Sequence, residues 1–228
     1  MRRLFITATD TGVGKTLTTS ALVVALRRRG HRVWALKPVA SGGVPSDDTL
    51  ALCRVTGATP ESVTGWSFHE PAAPPVAARV AGSELSLDAI VAWIRRQQER
   101  EPDAIWLVEG VGGLLCPLTE TATIADLACR LGDPVLIVAR RGLGTINHTL
   151  LTVEVALQRG LNLVGVLMTE TQPTTTLAER TAPEELQQRL AIPLLGVLPY
   201  TDPPDPERLA DDLAQMNVLD WFEAPATF

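Results

Sequence analysis

A short apolar run, Phe5-Ile6-Thr7-Ala8, stops at Thr9-Asp10-Thr11 and gives way to Gly12-Val13-Gly14-Lys15-Thr16. Apolar residues then return at helical spacing through Leu17, Ala21, Leu22, Val24 and Ala25. This order predicts a strand, a tight loop and a helix start. Such a loop directs several backbone N–H groups at one phosphate, with Lys15 reaching the outer phosphates and the Thr16 hydroxyl placed to hold Mg²⁺. The spacing departs from the usual Gly, four residues, Gly-Lys-Ser/Thr, because position 9 is Thr. The strand before the loop and the helix pattern after it supply the context that a chance Gly-Lys-Thr in a surface turn lacks.

The same alternation continues along the chain. Apolar runs at 4–8, 32–37, 104–109, 134–139, 162–168 and 194–198 read as strands, and 15–29, 47–56, 86–99, 122–132, 145–159, 178–190 and 205–216 read as helices. Strand and helix in alternation give a three-layer α/β fold, a mainly parallel sheet flanked by helices. Two stretches break the rhythm: 57–80, with Pro60, Pro71, Pro74 and Pro75, and 199–206, with Pro199, Pro203, Pro204 and Pro206. Both are expected to be largely nonregular, and long loops in a compact domain are often functional. The 228 residues show no internal repeat and no Gly/Ser linker, so 1–228 reads as one domain. A tail from about 217, containing Asp220-Trp221-Phe222, packs on the core or at an interface.

A net charge of −6 leaves no basic surplus to displace counterions, which argues against nucleic acid or an anionic membrane as partner. No apolar run approaches the roughly twenty residues that span a bilayer. Met1-Arg2-Arg3-Leu4 leads straight into the loop, leaving no room for a signal peptide, so a cytoplasmic protein is expected. Cys53, Cys116 and Cys129 form no paired spacing and read as reduced packing residues. His31, His69 and His148 are too scattered for a metal site.

In an open parallel sheet, ligands sit beyond the carboxyl ends of the strands. The second strand ends in Lys37-Pro38-Val39-Ala40-Ser41-Gly42-Gly43, which is expected to bring Lys37 beside the phosphate loop if the first two strands are neighbours. The third ends in Glu109, followed by Gly110-Val111-Gly112-Gly113, an acid at a strand tip of the kind that holds Mg²⁺ or its water shell opposite Thr16. Of Asp47 and Asp48, one is expected to cap the next helix and the other to complete the Mg²⁺ shell. Gly142-Leu143-Gly144-Thr145-Ile146-Asn147-His148 opens a helix whose free N–H groups suit an anion such as a substrate carboxylate, with Arg140 and Arg141 adding positive charge. The fifth strand runs into Thr169-Glu170, where a nucleotide base is expected.

Thr9–Thr16, Lys37–Gly42, Phe68-His69-Glu70-Pro71, Val108–Gly113 and Gly144–His148 occur in an order and spacing that resembles dethiobiotin synthetase, a phosphate-loop NTPase family, over roughly residues 3 to 200. Partition ATPases and cobyrinate amide ligases share the first motif but lack the Lys-Pro-Val-Ala-Ser-Gly segment. The resemblance implies ring closure of 7,8-diaminononanoate with CO₂ and ATP to dethiobiotin, through a carbamate and its phosphoric anhydride. It implies Lys37, Lys15 and Thr11 as the catalytic set, and Thr16, Asp48 and Glu109 as Mg²⁺ ligands. The nucleotide set it implies is Gly12, Val13, Gly14, Lys15, Thr16, Leu17, Asp48, Glu109, Gly110, Val111, Gly112, Thr169, Glu170, Pro199 and Tyr200. Thr11 and Ser41 would line the substrate pocket. Gly144, Thr145, Ile146 and Asn147 would bind the substrate carboxylate from the neighbouring subunit of a homodimer.

The chain departs from the family pattern at three places. Ala8 stands where many members have Gly, and Gly12 stands where the family is often acidic. Thr169-Glu170 replaces an Asn-Asp pair that contacts adenine. Thr lacks the paired amide donor and acceptor of Asn, so weaker discrimination of ATP from other triphosphates is expected. The rival reading, a partition-type regulatory ATPase, calls for a basic surface that the acidic composition does not offer.

Overall fold

The computed structural model describes residues 2–216 and 218–223. In chain order the elements are β1 Arg2–Ala8, α1 Lys15–Arg28, β2 Val33–Leu36, β3 Val39–Ser41, α2 Asp47–Thr56, α3 Pro60–Val63, β4 Trp66–Phe68, α4 Pro74–Val80 and α5 Leu87–Glu99. They continue as β5 Ile105–Glu109, α6 Ile124–Leu131, β6 Val135–Arg140, α7 Thr145–Gln158, β7 Leu163–Thr169, α8 Leu177–Arg189, β8 Leu194–Leu198, α9 Pro206–Ala214 and α10 Asp220–Glu223.

Six strands form one sheet in the order β2-β5-β1-β6-β7-β8, every pair parallel. Side chains of a strand alternate between faces, and here both faces are dry. Phe5, Val108, Val135 and Ile137 join one core with α5, α6, α7 and α8. Leu4, Ile6, Leu107, Leu136 and Val138 join the other with α1 and α9. A sheet buried on both faces explains why its strands read as continuous apolar runs. Helix α1 is buried along all of Thr18 to Leu26, wedged between the sheet, α2 and α9. Of the tail, Val218, Leu219 and Phe222 are buried in the second core, while Asn217 and 224–228 lie outside the described residues.

Two expectations need correction. First, β2 is not the neighbour of β1, because β5 pairs with both and lies between them. The β1–α1–β2 crossover skips one strand position, which β5 later fills, a long-range choice that the local pattern does not encode. Second, 57–80 is not largely nonregular. Pro60 and Pro74 each occupy the first turn of a helix, α3 and α4, where a missing N–H and a fixed φ are tolerated. Trp66–Phe68 pairs in parallel with Val39–Ser41 in a small second sheet. In the other proline-rich stretch, 199–205 stays outside helix and strand, and Pro206 starts α9 under a cap from Asp205, whose carboxylate accepts from the N–H groups of Glu207 and Arg208.

Candidate active site

The phosphate loop joins the end of β1 to the start of α1 at the middle of the sheet's carboxyl edge. Gly14 caps α1 with φ of +88°, and a Cβ there would stand 3.1 Å from the Thr169 hydroxyl, so glycine is needed for both conformation and space. No side chain caps this helix and its first turn carries no acid, which leaves its N–H groups and positive dipole end to an anion. Lys15 Nζ donates to the Asp10 carbonyl at 3.1 Å, folding the lysine back over the loop. Burial, reinforced by the nearby Lys37 charge, pulls the Lys15 ammonium down to about 8.

Next to the loop stands a cluster of opposite charges. Lys37 is 2% exposed, and its Nζ lies 2.6 Å from Glu109 Oε1, 2.8 Å from Asp48 Oδ2 and 3.2 Å from the Gly110 carbonyl. Burial alone would discharge Lys37, but the facing Glu109 and Asp48 carboxylates hold it protonated, above the ordinary lysine range. Burial likewise pushes the Asp48 carboxyl up, and Lys37 and the Thr16 hydroxyl more than reverse this. The Thr16 hydroxyl lies 2.7 Å from Asp48 Oδ1 and 2.7 Å from Glu109 Oε1, and its single proton serves one of them at a time. Lys37 therefore reaches the loop across the tip of β5 rather than from an adjacent strand. Ser46 caps α2 by accepting from the Thr49 N–H; neither aspartate does so, and Asp47 is exposed.

Glu109 Oε2 is buried and has no hydrogen-bond partner. With the Thr16 hydroxyl and the Asp48 carboxylate it makes a set of hard oxygen donors on one side of the loop. That set fits Mg²⁺, which takes one or two carboxylates and leaves its other positions to water and phosphate. Among the described residues no group of three or more His, Cys, Asp or Glu gathers as a metal site.

These groups open onto a cavity of about 670 Å³ that runs along the sheet's carboxyl edge. Lys37, Ser41 and Asp48 line it on the β2 side; Thr11, Gly12, Gly14, Lys15, Thr16, Val111 and Gly112 line its middle; Leu17, Thr171 and Pro204 lie toward β7 and β8. A second cavity of about 390 Å³ shares Thr11, Gly112 and Cys116 as a wall and continues over Leu114, Leu115, Leu151 and Val155.

The family model described as an AAA domain matches residues 2–208. The ATP-dependent dethiobiotin synthetase BioD of Anaeromyxobacter sp. (strain K) is 41% identical over 95% of this chain and 97% of its own length. The chain belongs to the dethiobiotin synthetase family. It is an ATP-dependent ligase of biotin biosynthesis, built on the phosphate-loop NTPase fold. That fold is shared more widely. The cobyrinic acid a,c-diamide synthase of Mycobacterium smegmatis, solved with an ATP analog and magnesium, superposes with a TM-score of 0.58 at 17% identity, covering 97% of this chain and 96% of that one. A ParA family ATPase of Chlorobium tepidum TLS gives 0.57 at 12% identity, covering 98% and 93%. The fold thus does not separate these activities, whereas the sequence kinship does.

Within this dethiobiotin synthetase family member the remaining candidate residues divide. Gly110 is buried against Ile124 at the foot of the glycine segment. Thr169 is buried behind the phosphate loop and its hydroxyl donates to the Val13 carbonyl. Pro199 and Tyr200 do not line the large cavity; the Tyr200 N–H donates to Glu170 Oε2 at 3.2 Å. Gly144, Thr145, Ile146 and Asn147 open α7 outside that cavity, with Thr145 buried and Gly144 and Asn147 exposed. Sequence reasoning missed Cys116, whose side chain lines both cavities. A Cβ on Gly112, at φ of +64°, would fall 2.7 Å from its Sγ, so the glycine segment turns directly onto this thiol. Burial keeps the thiol protonated. The signal was its place six residues after Gly110, within reach of a returning loop.

Proposed function

We propose that the chain closes the ureido ring of dethiobiotin from 7,8-diaminononanoate, CO₂ and ATP, with release of ADP and phosphate. The observation that carries this reading is the Lys37 ammonium, buried beside the phosphate loop at 2.6 and 2.8 Å from two carboxylates, on a cavity that shares Thr11, Gly112 and Cys116 with a second one lined by leucine and valine side chains. One amine of the substrate adds to CO₂ and loses a proton to give a carbamate. A carbamate oxygen takes the γ-phosphoryl group of ATP, releasing ADP. The second amine then attacks the carbonyl carbon and phosphate leaves, closing the ring.

The carbamate, its phosphorylated form and the departing phosphate are all anionic, so the protein's task is positive charge and placement rather than a covalent nucleophile. Lys15 and the N–H groups at the start of α1 hold the outer phosphates. Lys37 stands where carbamate and γ-phosphate meet. Thr11 and Ser41 orient the diamine, and the groove of Leu114, Leu115, Leu151 and Val155 accepts its hydrocarbon chain. Mg²⁺ held by Thr16, Asp48 and Glu109 would neutralise phosphate charge. The Gly144–Asn147 segment of a second copy would take the substrate carboxylate, which makes the working unit a homodimer. Leu115, Leu143, Leu151 and Leu157, all exposed in one chain, support such an association. The reading takes the chain as one cytoplasmic domain, in keeping with its three free cysteines.

ADP release by purified protein with bicarbonate and Mg·ATP, with and without the diamine, tests this reading. Release is expected to require the diamine. Release that ignores it would mark a regulatory ATPase instead.

A further inference from the structure

The two ends of the large cavity differ in chemistry. With phosphates in the loop and the terminal phosphate toward Lys37, a nucleoside triphosphate has its base at the opposite end, beside Leu17, Thr171 and Pro204. This placement rests on the ATP-dependent reading above. Thr169 and Glu170 lead directly into Thr171, and both are engaged with the protein itself. Thr169 gives its only proton to the Val13 carbonyl.

Glu170 is more heavily occupied. Its Oε1 accepts from Arg141 Nη1 at 2.5 Å and from the Thr174 hydroxyl at 2.6 Å, while Oε2 accepts from the Tyr200 N–H at 3.2 Å. Arg141 in turn donates through Nε to the Glu179 carbonyl at 2.6 Å and through Nη2 to the Arg180 carbonyl at 3.3 Å. The Glu179 carboxylate pins the same connection from its far side, accepting from Gln172 and from the N–H groups of Thr175 and Thr176. Three of the roughly four acceptor positions of the Glu170 carboxylate are therefore filled. The two segments it joins, 170–176 after β7 and 199–205 after β8, are those that carry Thr171 and Pro204.

We propose that Glu170, clamped by Arg141, is a positioning residue that builds the wall of the base end by tying these two connections together, and that it does not read the base. Two consequences separate this from direct contact. A base contact makes the loss on mutation depend on the base, because the four bases present different donors and acceptors along their edges. A wall serves all four nucleotides alike. A wall also acts on nucleotide affinity, and the charged end of the cavity should go on working once nucleotide is saturating.

The test is calorimetric binding of ATP, GTP, CTP and UTP to wild type, Glu170→Ala, Glu170→Gln and Arg141→Met, with steady-state kinetics for the diamine and ATP. Glu185→Gln, which breaks an exposed pair with Arg189 on α8, serves as the control for general loosening of that helix. Glu170→Ala is expected to weaken all four nucleotides by a common factor of roughly tenfold, the loss typical of a charged hydrogen-bond hub. Arg141→Met should follow it, Glu170→Gln should fall between it and wild type, and the control should not move. Meanwhile kcat at saturating ATP and KM for the diamine should change by less than about threefold. A base-dependent loss, nucleotide affinity within twofold of wild type, or a parallel fall of kcat and diamine affinity would each overturn the proposal. If wild type makes no dethiobiotin, the cyclo-ligase reading fails, and the binding measurements still decide the role of Glu170.

Discussion

The polar side chains behind the two ends of one cavity are partnered in opposite ways. On the β2 side, Lys37, Asp48, Glu109 and Thr16 face one another across the cavity lining, and Glu109 Oε2 is left without a partner. On the β7–β8 side, Thr169 and Glu170 are consumed by backbone, hydroxyl and guanidinium partners within the protein. A buried polar group without a partner costs stability, on the order of 1–3 kcal/mol. Glu109 Oε2 bears that cost at the end where a bound ligand would offset it, whereas the Glu170 carboxylate is satisfied on both oxygens. On the proposed reading, reaction chemistry belongs to the first end and nucleotide accommodation to the second.

The strongest way to break this division is Lys37→Ala. Removing the ammonium proposed to face carbamate and γ-phosphate should lower kcat by about 10³-fold or more, with ATP affinity changed by less than about threefold; initial rates of dethiobiotin formation and calorimetry of ATP read the two quantities. Lys15→Ala should instead damage binding and turnover together, with ATP affinity reduced about a hundredfold. If Lys37→Ala lost ATP affinity while keeping turnover, the two ends would have been misassigned. Glu109→Gln removes the unpartnered oxygen's charge and one carboxylate facing Lys37. The Mg²⁺ concentration needed for half-maximal ADP release should rise roughly tenfold, and an unchanged Mg²⁺ requirement would take Glu109 out of the metal set. The smallest effect belongs to the far end. Thr169→Val keeps the side-chain volume behind Gly14 but loses the bond to Val13, and should raise KM for ATP about fivefold while leaving KM for the diamine where it was.

Four residues of the candidate reaction end stand out in the sequence because each sits at the tip of an apolar run or in the glycine loop that follows one. Lys15, Thr16, Lys37 and Glu109 could be named from that alone, and family kinship chose Asp48 over Asp47. The base end was not legible. Thr169 and Glu170 stand at a strand end, but Glu170's partners Arg141 and Tyr200 come from the connections after β6 and β8, which only the β6-β7-β8 order brings beside it. The misplaced β2 has the same origin, since a strand's neighbours are settled by chain crossovers and not by its own residues. The short elements of 57–80 were hidden for a local reason: prolines at helix starts look like breakers until the first turn is located.

The most direct test of the whole account is incubation of the purified chain with ¹³C-bicarbonate, Mg·ATP and 7,8-diaminononanoate, followed by mass spectrometry and ADP measurement. The expected result is dethiobiotin carrying the label in its ureido carbonyl, formed in step with ADP and absent when ATP or diamine is withheld. ADP released without labelled dethiobiotin would contradict it.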